Sequence, residues 1–291
     1  MGALPAAGAA PLCAGSRPEA VARRSPPRSA GGPAWAARGW AWFTRDVRGY
    51  DEASYGEAMA DVYDDWYGAP GDTAAAVRTL RDLAGAGPVL ELGVGTGRLA
   101  LPLAGEGLTV HGLDASPAML DRLRAKPGAG AVHLHRGDMA ADLPAGKFAL
   151  VFVAVNTLFG LPTAQAQQRC FDEVARRLAP RGRFVVEAFV PTDPPPAGSF
   201  VDVRSIETDR VVLTVSSSDP GRQVSRGQFV ELTDGQPVRL RPFEIRWATP
   251  AQLDAYATAA GLELEARWAG WDREPFGPDS PSHVTVYRNP G

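Results

Sequence analysis

The sequence predicts an α/β protein: a doubly wound, mostly parallel sheet with an antiparallel β insertion between its fifth strand and its last helix. Three observations predict it. Apolar strand-like runs alternate with helical patterns from residue 89 to 189, a glycine-rich turn follows the first of these strands, and past Pro194-Pro195-Pro196 the pattern changes to short β-rich runs. Alternating βα units with continuously apolar strands imply a parallel sheet covered on both faces.

Taken in order, residues 1–45 are rich in Ala, Pro, Gly and Arg without apolar periodicity, and are expected to be disordered because they cannot bury enough surface to offset ordering entropy. The folded domain then spans 46–291. Residues 53–67 place Met59, Val62, Tyr63, Trp66 and Tyr67 at helical spacings, predicting one helix with an aromatic face. A second helix starts at a cap, Asp72, and stops at Gly85-Ala86-Gly87-Pro88. Strands follow at 89–94, 109–113, 132–135, 148–155 and 184–189, with helices at 98–104, 117–125 and 163–178 between them. Residues 200–247 offer four β-rich runs separated by Asp219-Pro220-Gly221 and Asp234-Gly235 turns, an antiparallel insertion. Thr249 caps a helix with Pro250 at its first position and Gly261 at its end, and closing strands at 264–271 and 283–288 bring the count to seven outside the insertion.

Composition narrows the function classes. A hydrophobic fraction of 45% with 22% charged residues matches a soluble globular chain, and no apolar run reaches the roughly 20 residues that span a bilayer, so no membrane partner is expected. Six arginines against Glu19 give residues 1–45 a charge of +5, leaving −8 on the remainder of a chain whose net charge is −3. An acidic body is a poor nucleic-acid surface. Two cysteines, Cys13 and Cys170, exclude a disulfide framework or thiolate metal site and suit free thiols in a reducing cytoplasm. Arg23-Arg24 is not followed by an apolar stretch, so no export signal is read and a cytoplasmic location is expected.

The stretch carrying chemistry is Glu91-Leu92-Gly93-Val94-Gly95-Thr96-Gly97. Glycines at 93, 95 and 97 let backbone approach a ligand at the carboxyl edge of the first strand, the switch point where such sheets bind ligands. A structural turn or a dinucleotide fingerprint are the alternatives. The latter wants G-x-G-x-x-G, whereas here the spacing is G-x-G-x-G, and Glu91 would repel a pyrophosphate and suit a cationic amino group. Asp114, ending the next strand, can accept from a ribose diol, while Ser116 serves as the cap of the helix that follows. Asp138 and Met139 leave the third strand, where an acid can accept from an exocyclic amine and a thioether can press on a purine.

These motifs, with Leu113-Asp114-Ala115-Ser116-Pro117-Ala118-Met119, Gly137-Asp138-Met139 and Val155-Asn156-Thr157-Leu158-Phe159, resemble in order and spacing those of class I S-adenosyl-L-methionine-dependent methyltransferases, over about residues 50–288. The resemblance implies a seven-stranded sheet whose last strand is antiparallel. It also implies a cofactor site in which Gly93 and Gly95 lie against the methionine moiety and Gly97 completes the turn. Glu91 would orient the turn or receive the amino group, Asp114 would bind the ribose with Ala115 and Met119 beside it, and Asp138 and Met139 would frame the adenine. Tyr63 resembles the aromatic residue that caps the cofactor carboxylate, and Asn156 would face the methyl-transfer region.

Methyl transfer from a sulfonium needs an aligned acceptor more than a base, and no metal is required. Glu187, near the end of the fifth strand, is with Asn156 the candidate catalytic pair, whereas His111, His133, His135 and His283 read as structural strand histidines. By resemblance, the 200–247 insertion is expected to act as a lid bringing acceptor contacts, as in glycine and amino-sugar N-methyltransferases. The partner expected is a small-molecule acceptor, methylated on nitrogen or oxygen, and the chain is expected to be a monomer or homodimer. Rival readings are a nucleic-acid or protein methyltransferase, which the Arg-rich residues 1–45 favour but the absence of a Pro-Pro-aromatic signature after Asn156 and of a basic stripe oppose; a non-catalytic cofactor-binding module; and, more distantly, a nicotinamide oxidoreductase.

Overall fold

The computed structural model describes residues 47–67 and 73–291. The expectations placed on residues 1–45, on Cys13 and on a cap at Asp72 lie outside the described residues. Seven strands form the main sheet: β1 (Val89–Leu92), β2 (Val110–Asp114), β3 (Val132–Arg136), β4 (Phe148–Val153), β5 (Leu178–Phe189), β10 (Glu263–Trp268) and β11 (Ser282–Arg288). Their spatial order is β10-β11-β5-β4-β1-β2-β3. All neighbouring pairs among the first five strands are parallel, and β11 runs antiparallel to both β5 and β10. The strand order reverses on either side of β1, which makes its carboxyl end the switch point.

Both faces of this sheet are buried. Helices α3 (Thr73–Ala84), α4 (Ala100–Gly105) and α5 (Pro117–Arg124) pack on one face, where Leu80, Leu103 and Leu123 meet Val89, Val110 and Val185. On the other, α6 (Ala164–Arg177) and α7 (Pro250–Ala259) set Phe171, Val174 and Leu253 against Phe184, Val186 and Tyr287. Cys170 is buried in this second layer. Trp271 joins the core on the α3–α4–α5 face of the sheet. Caps start the helices where the sequence placed them: Ser116 Oγ accepts from Met119 N and Thr249 forms a full capping box with Gln252. No helix among the described residues is long and apolar enough to cross a membrane.

Two expectations change. The single helix over 53–67 is broken at 60–62 into α1 (Ser54–Met59) and α2 (Tyr63–Tyr67), two short pieces that turn the chain across the end of the sheet. The fifth strand is also longer than 184–189: it starts at Leu178, with an irregular register against β4 and Arg181 at positive φ.

The insertion is a four-stranded antiparallel meander, β6 (Gly198–Ile206), β7 (Arg210–Asp219), β8 (Val224–Thr233) and β9 (Arg239–Arg246). Its inner face carries Val212, Phe229 and Phe243 onto Met59, Val62 and Trp66 of the α1–α2 segment. A buried ionic junction fastens it: the Arg241 guanidinium donates to Glu231 (2.8 Å), to Asp61 and to the carbonyl of Ala58. Glu231 is 7% and Arg241 2% exposed, so neither charge has water to fall back on.

Arg241→Ala leaves the buried Glu231 with only its longer ion pair to Arg210 (3.3 Å) and is expected to cost about 3 kcal/mol. Arg239, which pairs with Asp61 at 2.7 Å from an exposed position, is expected to cost under about 1 kcal/mol when truncated. Denaturant unfolding of both variants checks the contrast, and equal losses would contradict it.

Candidate functional site

The turn after β1 is built without side chains because its three glycines all have positive φ. They differ in what surrounds them. A Cβ on Gly93 would stand 2.2 Å from Thr157 Cγ2, and one on Gly97 would stand 2.8 Å from Leu123 Cγ, so both are demanded by packing. A Cβ on Gly95 meets nothing within 4 Å. Gly95 thus presents bare backbone to open space, the geometry of a ligand cradle.

Asp114 ends β2 beside this turn. Its carboxylate accepts from Gly95 N (2.8 Å) and Ser116 N (2.9 Å). Burial raises its pKa and these amide donors pull the other way. The carbonyl of Asp114 in turn accepts from Gly137 N (3.1 Å), which brings Asp138 and Met139 to the same edge. Asp138 closes its own turn by accepting from Ala140 N, and Met139 is partly buried against the core. Ala115 lies half-buried next to Asp114, whereas the Met119 side chain is buried under α1, close to Gly56, and forms core between α1 and α5.

Glu91 lies beneath the turn, 5% exposed, and its Oε2 has no hydrogen-bond partner. Burial pushes its pKa up to about 8, against the opposing pull of Arg98 and the Ala100 amide, with Asp114 adding a further upward push. Tyr63 joins the same electrostatic neighbourhood. Burial raises its hydroxyl pKa, and its charged neighbours include Arg98, Asp114 and Glu91. The structure therefore brings together Tyr63, Glu91, Asp114 and the three-glycine turn.

The α2 segment is pinned over the turn by residues that sequence reasoning missed. Asp64 accepts from Thr96 Oγ1 (2.6 Å) and Lys126 Nζ (2.9 Å), and Lys126 also donates to the Thr96 carbonyl. A cavity of about 360 Å³ opens between α2 and the turn, lined by Tyr63, Tyr67, Thr96, Gly97, Arg98 and Lys126 among others. Nothing in the spacing of the Asp64-Asp65 pair marks one of them as a clamp, because its partners lie 32 and 62 residues away.

At the end of β4, Val155 and Asn156 both take left-handed φ values, 49° and 64°. A β-branched residue there is strained, and such strain persists only where surroundings over-determine it. Glu187 supplies the determination. Its Oε2 accepts from Val155 N (2.9 Å) and its Oε1 from Trp271 Nε1 (2.8 Å), while its carbonyl accepts from Asn156 N. The Asn156 side chain is likewise engaged, accepting from Phe189 N at 2.7 Å. Both members of the candidate catalytic pair thus spend their side-chain oxygens on backbone and indole donors, leaving the Val155 side chain exposed at the strand end. The histidines lie elsewhere: His111 and His135 bond and stack with each other on β2 and β3, and His283 is buried in β11, with burial holding its pKa down to about 4.

The residues present fit an adenosylmethionine-type ligand on two counts: the open cradle at Gly95 and an orphaned acidic oxygen at Glu91 suited to a cationic amino group. Comparison with known proteins points the same way. A methyltransferase-domain family model matches residues 89–182. The chain is 30% identical over 194 residues to the cypemycin N-terminal methyltransferase of a Streptomyces species, covering 65% of this chain and 77% of that protein. It is 36% identical over 181 residues to the demethylmenaquinone methyltransferase of Thermus thermophilus, covering 60% and 74%. The solved structure of the CcbJ methyltransferase from Streptomyces caelestis matches with a TM-score of 0.77 and 41% identity, covering 82% of this chain and 99% of that one.

The elevated pKa of Glu91 has a testable sign. The folded protein keeps this proton where the unfolded chain has released it, so stability falls as pH rises from about 4.5 toward 8, and the cost is complete above that. Glu91→Gln has no such proton, so its Tm should stay flatter than the parent's between roughly pH 6 and pH 9. Thermal melts across that range would show parallel curves if Glu91 were already ionised in the fold.

Proposed function

Because the chain belongs to the class I S-adenosylmethionine-dependent methyltransferases, we propose that it methylates a nitrogen or oxygen atom of a small molecule held between the glycine turn and the four-stranded sheet. The observation that carries this reading is the bare backbone at Gly95, where an added Cβ would meet nothing within 4 Å, beside Asp114 and below α2. S-adenosylmethionine supplies a methyl group already activated on sulfur. The work left to the protein is to align the acceptor, exclude water and hold the donor still.

Residues take distinct parts in this proposal. Gly93 and Gly95 give the donor's amino-acid end a surface of bare backbone, with Gly97 shaping the turn. Glu91 receives the amino group, and Tyr63 closes over the carboxylate. Asp114 takes the ribose, Ala115 and Met119 support that edge, and Asp138 and Met139 frame the adenine. Asn156 and Glu187 act as positioning residues that fix the strained end of β4 and so present Val155 and the adjoining backbone to the acceptor.

The acceptor side is assigned to the inserted sheet for a reason independent of its position. The family match ends at residue 182, before β6 begins, and the two curated relatives are named for unlike acceptors, a cypemycin N-terminus and demethylmenaquinone. The 89–182 match holds the glycine turn and Asp114 proposed for the donor, and the proposal gives the acceptor to the inserted sheet that follows it. This supports a small-molecule acceptor for an acidic body that offers no basic stripe to nucleic acid.

Calorimetric titration with S-adenosylmethionine tests the donor half. Asp114→Ala and Gly95→Ala are each expected to weaken binding by at least about tenfold, equivalent to 1.4 kcal/mol. For Gly95→Ala the added methyl occupies the cradle while left-handed backbone strain costs only about 1–2 kcal/mol of stability. Parent-like affinity in both variants would defeat the assignment.

Glu187→Gln replaces one acceptor with an amide donor facing N–H groups, which is expected to cost about 1–3 kcal/mol of stability and to lower kcat. The pH profile of kcat/KM should keep its shape. Loss of an ionisation from that profile would instead make Glu187 a general base.

A further inference from the structure

Arg204 stands apart from the other arginines on the inner side of the inserted sheet. Arg241 pairs with Asp61 and Glu231, Arg239 with Asp61, and Arg210 with Glu207 and Glu231, while Arg246 donates to Gln167 and Gln223. The half-buried Arg204 makes no ion pair or hydrogen bond with any described residue. Its guanidinium carbon instead lies 4.8 Å from the Trp66 ring centroid, 4.9 Å from Tyr67 and 5.2 Å from Phe229.

Two features argue that this placement is built in. Arg204 sits at a β-bulge: Val203 pairs with Leu213 and Ser205 with Val212, so Arg204 is the extra residue. Bulges re-aim side chains and recur beside active sites. The guanidinium lies over the faces of these rings, and cation–π attraction holds it without consuming its N–H donors. The Tyr67 hydroxyl, in the same cluster, is buried and has no hydrogen-bond partner among the described residues.

The cluster is continuous with the donor site. The Tyr67 ring is 5.0 Å from that of Tyr63, whose hydroxyl neighbours Arg98, Asp114 and Glu91. Resting on the methyl-transfer reading above, we propose that Arg204 is the anion-recognition residue of the acceptor site, and that the acceptor is a small molecule bearing a free carboxylate beside an apolar body. A carboxylate matches the planar fork bidentately, and the aromatic rings take the apolar part. A phosphate dianion is disfavoured because Arg241, the other cation of the cluster, is already neutralised by Asp61 and Glu231.

The test uses the full chain saturated with S-adenosylhomocysteine and titrated calorimetrically with 4-aminobenzoate, its methyl ester and inorganic phosphate. The acid is expected to bind saturably and at least about tenfold more tightly than the ester or phosphate, a difference of 1.4 kcal/mol. Arg204→Met should bring the acid down to the ester's level while S-adenosylhomocysteine affinity stays within about twofold. Should Arg204→Met loosen the inserted sheet, Arg204→Lys keeps a charge over the rings but loses the fork, and is expected to fall between parent and Met variant. Equal binding of acid and ester, no saturable binding of the acid, tighter binding of phosphate, or an Arg204→Met variant that holds the acid as the parent does would each overturn the proposal. Failure of the parent to take up S-adenosylhomocysteine would overturn the methyl-transfer reading instead.

Discussion

The hydrogen bond from the Gly95 amide to the Asp114 carboxylate is the constraint on which the rest of the site depends. It ties a turn that has no side chains of its own to the end of the neighbouring strand. The second Asp114 oxygen holds Ser116 N, and Ser116 donates its hydroxyl to Glu57 of α1. From α1 the connection continues through Asp61 to Arg241 and Glu231. One run of polar contacts thus leads from the glycine turn to α1 and, through the chain just after α1, to the inserted sheet; Ser116, Glu231 and Arg241 are removed from water, where such bonds count for more, while Glu57 and Asp61 are exposed. Close packing at Gly56, where an added Cβ would lie 2.4 Å from Ser116 Cβ, fixes the spacing of that run.

The charge arrangement around the turn is unbalanced in a useful direction. Glu91 and Asp114 are both drawn toward protonation by burial, with Arg98 as the cation acting on Glu91. A pocket in that condition gains when a cationic ligand enters, because the ligand supplies the charge that burial withholds. A pyrophosphate would lose by the same measure. In the proposed donor site, the acidic residue two positions before the first glycine would favour a cationic ligand over an anionic one by electrostatics, without any contact peculiar to adenine.

The sheet and the donor turn were legible in the sequence because their signals are local. Apolar runs of strand length, glycines at fixed offsets, and Ser116 or Thr249 ahead of a proline all act within a few residues. What was hidden is set by partners far along the chain. The break between α1 and α2 follows from docking across the sheet, where the aromatic periodicity of 53–67 suggested one helix. Glu187 read as an acid near an acceptor pocket, and only its tertiary partners Val155 and Trp271 reveal a clamp. Met119 read as a cofactor neighbour, yet Gly56 draws α1 close enough to bury it. Arg204 carries no sequence signal at all, since a bulge depends on how β7 pairs with β6.

The meander joins the main fold through only two chain crossings, one leaving β5 and one entering α7. Beyond those crossings it meets the main fold through its apolar face on α1–α2, the Arg241 junction, and hydrogen bonds that tie Arg246 to Gln167 and Gln223 to Gln252. If the meander serves the acceptor as proposed, replacing this one contiguous stretch of chain would alter what is modified while leaving the sequence of the glycine turn untouched.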